Sequence, residues 1–150
     1  MKISKQLLDE LVAHALEDPK NEVCGVVAVT PEQAVADQQV NQAGMTDRAA
    51  RAVDVHRAVN VHASPLKFEI DPAELLALYH AIEGAGGELG AIYHSHVRSA
   101  PYPSQTDIGF AANWPGVEWI IVGLSAGEAP EVRSYLIEGG KVREVALEVG

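Results

Sequence analysis

The chain holds a single cysteine, Cys24. No internal disulfide can form, which fits a reducing compartment. Basic residues are also few. Eleven Lys and Arg stand against 21 Asp and Glu, a formal charge of −10. Nucleic acids and anionic membranes both recruit basic surfaces, so neither is an expected partner. A partner with a basic face fits better. No window approaches the roughly 18 consecutive apolar residues of a membrane span. In "MKISKQLLDELVAHAL", Asp9 and Glu10 interrupt the apolar stretch that a signal peptide requires. Repeats, low-complexity tracts and linkers are missing as well. What is present is globular: 47% hydrophobic and 21% charged residues over 150 positions suit one domain with a core of its own. The expectation is a soluble, cytoplasmic protein, residues 1–150 forming a single domain.

Hydrophobic spacing places the elements. Ile3, Leu7, Leu8, Leu11, Val12 and Leu16 recur at helical intervals, with Ser4 as N-cap and Pro19 beyond the end. "EVCGVVAV" reads as a buried strand, and residues 30–50 as a polar connection or extra hairpin. "AVDVHRAVNVH" alternates as a strand, with a bulge expected near Arg57. "KFEI" reads as another strand. Asp71, Pro72 and Glu74 have the pattern of a capping box opening a helix that "GAGG" closes. "ELGAIYHSH" is nearly continuous in apolar residues, so both its faces should be covered. "SQTDIGFAANW" suits a short helix. "VEWIIVGL", "EVRSYLIE" and "KVREVALEV" suit three final strands, with a hairpin turn at Gly139 and Gly140. The sum is an α/β (α+β) domain: a mixed, mostly antiparallel sheet flanked by about three helices.

Chemistry concentrates in "AIYHSHVRSAPYPSQTD", Ala91 to Asp107. Residues i and i+2 of a strand share a face, so His94 and His96 present two imidazoles side by side. Imidazole is the commonest side-chain metal ligand. Asp107 is the natural third donor, and two histidines with one carboxylate leave an open position, as catalytic zinc sites do. The bland alternative is that a strand ends here and that Ser104 and Asp107 merely cap the next helix. It leaves two ionisable rings on an apolar strand without partners. Glu22 opens the first buried strand, either as an exposed strand-end carboxylate or as a general base. Cys24 reads as a small core residue. His14 and His80 read as solvated helix residues. His56 and His62 lie on or near a strand and could border the cleft. Trp114 and Trp119 read as core aromatics.

Together these residues resemble the JAMM (MPN-type, Mov34/PAD-1) metalloprotease family. Its signature is an early glutamate, then His-x-His, seven residues, Ser, two residues and Asp. Here that series is Glu22, His94, His96, Ser104 and Asp107, with every spacing matched. The "Glu-x-Cys-Gly" opening is Glu22 to Gly25, and "NVHASPLKFEIDPAELL" is similar to a segment of bacterial members. Many members have proline after the second histidine, where this chain has Val97. The resemblance implies one Zn2+ on His94, His96 and Asp107, with water in the fourth position. It implies Glu22 as general base and Ser104 as oxyanion stabiliser. It further implies cleavage after the C-terminal Gly-Gly of a small ubiquitin-fold partner. The nearest likeness is to bacterial peptidases that release cysteine from a sulfur-carrier protein. Removal of a ubiquitin-like modifier from lysine is the alternative within the class. A non-catalytic MPN scaffold is a second reading, disfavoured by the intact signature. A DNA-repair relative is disfavoured by the acidic charge, and a cupin-like barrel by the helix at Asp71 to Glu83.

Overall fold

The computed structural model describes residues 1–31, 50–125 and 129–150. Most of the connection expected at 30–50 lies outside them. Among the described residues, eleven elements follow in chain order: β1 (Lys2–Ile3), α1 (Lys5–Glu17), β2 (Cys24–Pro31), β3 (Ala50–Ala58), α2 (Pro72–Gly84), β4 (Glu88–His96), α3 (Gln105–Ala111), β5 (Glu118–Gly123), β6 (Glu131–Glu138), β7 (Lys141–Val145) and β8 (Glu148–Val149). The strands form one sheet in the order β7-β6-β5-β4-β2-β3-β1-β8. β2 pairs antiparallel with β3 and β4, and β5–β6–β7 form an antiparallel meander. β4 and β5 are parallel, so a crossover must join them, and α3 lies on it. Only Ala146 and Leu147 separate β7 from β8, yet these strands stand at opposite ends of the sheet order. The sheet is therefore curled until its two margins approach each other.

Both faces of β4 are covered, as its composition requires. Ala91 and Tyr93 join Leu11 and Ala15 of α1 in one apolar cluster. Ile92 joins Cys24, Ile82 of α2, Ala111 of α3 and Trp119 in the other. Fully burying a large apolar side chain contributes about 1.5–3 kcal/mol. The central strands thus hold the ends of β2 and β4 rigidly against each other. Ser4 caps α1, its hydroxyl accepting from Leu7 N at 3.2 Å. Gly139 and Gly140 both adopt positive φ, +57° and +76°, which the tight β6–β7 turn requires.

The structure differs from the sequence expectations at several points, among them Ile3, which lies in β1 before the first helix, and Glu22, which precedes β2 rather than opening it. The β2–β3 ladder steps from Ala28↔Asp54 to Val29↔Ala52, so the bulge falls at Val53 and not near Arg57. Val59 and Val61 lie past the end of β3 and are exposed. "KFEI" contributes only an isolated Asn60↔Ile70 bridge, because the Asn60 side chain takes up the backbone of Lys67 and Glu69. Glu74 completes no capping box. Asp71 accepts from Ala73 N, and Glu74 instead receives Val59 N, which the end of β3 leaves without a ladder partner. "KVREVALEV" is two strands, of which β8 pairs in parallel with β1.

Candidate metal centre

β4 ends on His94 and His96, and strand geometry turns both rings to the same side. Their Nε2 atoms are 3.0 Å apart. The loop after β4 returns through α3, whose N-cap is Ser104. Ser104 Oγ accepts from Asp107 N at 3.1 Å, and Ser104 N donates to Asp107 Oδ2 at 2.8 Å. This reciprocal cap aims Asp107 at the histidines: Oδ2 lies 3.1 Å from His94 Nε2 and 3.4 Å from His96 Nε2. The cap and the carboxylate–imidazole contact are one arrangement, not rival ones.

Glu22 arrives from the other side. Cys24 sits opposite His94 in the β2–β4 ladder, so the residues just before β2 lie beside the end of β4. Ser95, facing away from the rings, fixes this junction by accepting Val23 N on its hydroxyl at 2.9 Å and donating its own N–H to Val23 O at 3.0 Å. As a result, ligand atoms of Glu22, His94 and His96 all lie within 4.8 Å of one another. All four groups are buried: Glu22 is 5% exposed, His94 0%, His96 4% and Asp107 3%.

Burial sets the electrostatics. Desolvation pushes the Glu22 carboxyl up to about 7, with His96 opposing and Asp107 reinforcing. Desolvation also lowers His94, outweighing the pull of Asp107. For His96, burial works against the charged ring, but the bonds to Asp107 and Ala100 O outweigh it and leave the pKa raised. Burial alone would raise Asp107; its bonds to both imidazoles hold it well below the usual carboxylate range.

The donor atoms fit a divalent cation. His96 Nδ1 donates to Ala100 O at 2.9 Å, which leaves Nε2 as a lone pair turned inward. That lone pair, His94 Nε2 and the Asp107 carboxylate oxygen converge on one point, where either a shared proton or a divalent cation satisfies them. His94 Nδ1 is buried without a hydrogen-bond partner among the described residues. Two imidazole nitrogens with carboxylate oxygen are a donor set typical of zinc with an open position.

The surroundings hold features that sequence reasoning missed. Phe68 stacks on His94 with ring centroids 4.3 Å apart and planes at 23°. A cleft of about 360 Å³ opens beside Glu22, lined among others by His14, Glu17, Asp18, Asn21 and Asn60. His14, expected to be solvated, is half-buried with Nδ1 2.7 Å from the Tyr93 hydroxyl. Its place on α1 gave no sign of this, because Tyr93 reaches it from β4. His80 is exposed. His56 and His62 pair with Asp54 and Glu69. Cys24 is buried in the core, which pushes its thiol up to about 12. Trp119 is buried and Trp114 packs partly against the same cluster.

Comparisons with known proteins show the family. Residues 4–138 match the family described as prokaryotic homologs of the JAB domain. The chain belongs to that prokaryotic branch of the JAB (JAMM/MPN) family. It is 33% identical over 147 residues to the CysO-cysteine peptidase of Mycobacterium tuberculosis, covering 98% of this chain and 89% of that protein. It is 35% identical over 149 residues to the desampylase of Haloferax volcanii, covering 94% and 90%. Among solved structures, protein DSY2949 from Desulfitobacterium hafniense superposes with a TM-score of 0.79 at 25% identity, covering 99% of this chain and 92% of that one.

Proposed function

We propose that this chain is a zinc-dependent peptidase. Its substrate would be the amide or isopeptide bond after the C-terminal Gly-Gly of a small ubiquitin-fold or sulfur-carrier protein, and its product cysteine released from a carrier–cysteine adduct. The observation that carries this reading is the buried convergence of His94, His96 and Asp107 with Glu22 beside them. Similarity over nearly the whole chain to a protein named CysO-cysteine peptidase supports the substrate class. Similarity to a desampylase supports the second reading, removal of a ubiquitin-like modifier from lysine.

In this mechanism His94, His96 and Asp107 would hold the metal. Bound zinc would supply Lewis acidity and lower the pKa of water to about 7. The Glu22 carboxylate, beside these residues, would take up the proton of the attacking water. Glu22 then returns the proton to the leaving amine, so the group ends as it began. Ser104 Oγ spends a lone pair on Asp107 N. Its hydroxyl hydrogen remains available to stabilise the negative charge that develops on the carbonyl oxygen. An extended Gly-Gly tail suits passage through a narrow site by main-chain pairing.

The test is direct. The metal-loaded protein, carrying about one zinc per chain, is incubated with a Gly-Gly carrier joined to cysteine and with the same carrier joined to a lysine peptide. Mass spectrometry should show free carrier from the cysteine adduct. Cleavage of the lysine conjugate alone would favour the second reading, and cleavage of neither would end both. Glu22→Gln should keep the zinc and lose hydrolysis by at least about 100-fold, the scale of general-base assistance.

A further inference from the structure

Glu22 belongs to no strand, since β2 begins at Cys24. Its own backbone is held by the connection between β3 and α2. Glu22 N donates to Ser64 O at 2.8 Å, and Glu22 O accepts from Asn60 Nδ2 at 3.0 Å. Asn60 is the residue that makes this connection a unit. An asparagine amide offers two N–H donors and a carbonyl with two lone pairs. In Asn60 every one is used: Nδ2 donates to Glu22 O and to Lys67 O, each at 3.0 Å, while Oδ1 accepts from His62 N at 3.1 Å and Glu69 N at 3.2 Å. Two carbonyls on one side and two N–H groups on the other permit a single amide orientation, because the flipped form would oppose like with like.

The turn after Asn60 is built at some cost. Ala63 adopts φ +43°, a left-handed conformation that a side chain disfavours, and its N–H closes on Asn60 O at 3.2 Å. The next residue, Ser64, supplies the carbonyl that receives Glu22 N. Further along, Phe68 is delivered onto His94.

We propose that Asn60 is a positioning residue for Glu22. Its side-chain amide ties the 60–70 connection to the Glu22 carbonyl and so fixes where the carboxylate stands relative to the paired imidazoles. This rests on reading Glu22 as the base. Asn60 itself takes no part in the bonds made or broken. Misplacing a catalytic group by about 1 Å can cost about 100-fold in rate, so four hydrogen bonds spent on one backbone carbonyl and its neighbours have a kinetic consequence.

Two variants test it. Asn60→Asp keeps the volume and both acceptor contacts, removes both donations, and sets a carboxylate against Glu22 O and Lys67 O. Asn60→Ala removes everything. The first readout is amide hydrogen exchange by NMR on the metal-free protein. The Glu22 amide should exchange at least about tenfold faster, while Ile92 and Ile121 in the central strands stay as in wild type. Leu66→Ala, an exposed change in the same connection, should leave Glu22 exchange unaltered. The second readout is turnover of a ubiquitin-fold carrier whose Gly-Gly terminus bears aminomethylcoumarin. Here kcat should fall about 10- to 100-fold with KM within about twofold and zinc stoichiometry unchanged. Intact protection of Glu22 in both variants would overturn the proposal. So would a loss expressed in KM alone, or exchange that rises equally throughout the central strands. If the wild type cleaves no Gly-Gly amide, the catalytic reading fails, and the exchange experiment still decides whether Asn60 holds Glu22.

Discussion

At the scale of single residues, Glu22 is a buried group whose state changes near neutral pH in the metal-free protein. Its carboxyl has an ordinary pKa of 4.5 and is pushed up to about 7 by burial in the fold. A carboxyl raised on folding holds its proton longer in the native state, so the native state binds more protons than the unfolded chain across that window. Its contribution to stability therefore falls as pH rises from about 4.5 to about 7. His94, lowered by burial, acts in the opposite sense below its ordinary value of 6.5. The pH slope of the wild type alone would mix the two. The difference between Glu22→Gln and wild type reports Glu22 together with its coupling to His96 and Asp107. In metal-free protein, the stability of Glu22→Gln relative to wild type should increase from pH 4.5 to 7 and then level off. Denaturant titrations across that range measure it, and a gap that does not change with pH would contradict the assigned burial cost.

At the scale of elements, α3 shows how a local pattern carries two duties. Ser104 and Asp107 form a complete cap, and the capping carboxylate is also the one that reaches both histidines. Asp107→Asn retains an oxygen for Ser104 N but loses the charge that pairs with both imidazoles, so it should weaken zinc binding and lower the melting temperature of the metal-free protein at neutral pH. Asp107→Ala should do both and lower the melting temperature further, because Ser104 N also loses its acceptor while Ser104 Oγ keeps its bond to the backbone of residue 107. Zinc titration and thermal melting of both variants separate the two duties. Elements of this kind were legible in the sequence because their causes are local. His-x-His needs only the two-residue strand period, and the Ser–Asp spacing needs only one helical turn. The 60–70 connection was not legible, for the converse reason. "KFEI" has the composition of a strand, but Asn60 captures its backbone and Phe68 is drawn beneath the sheet onto His94. Glu74 likewise looked like half of a cap, until a distant strand end supplied Val59 N as its partner.

At the scale of the whole molecule, the site is a product of sheet register. The approach of Glu22 to the histidines follows from Cys24 standing opposite His94, a pairing no stretch of sequence encodes alone. Gly25 guards that register. A Cβ there would lie 2.4 Å from His56 O and from the ring of Tyr93, which crosses β2 to reach His14. Gly25→Ala should therefore destabilise the protein by roughly 1–3 kcal/mol, and because β2 must shift, kcat should drop along with the melting temperature. Wild-type turnover in that variant would mean that the register tolerates displacement. The buried groups of the candidate metal centre come from three separate stretches: the approach to β2, the end of β4 and the start of α3. On the ribosome, this means that they cannot meet until synthesis has run beyond Asp107 and the early and middle segments have docked, so the centre is assembled only as the domain completes its folding.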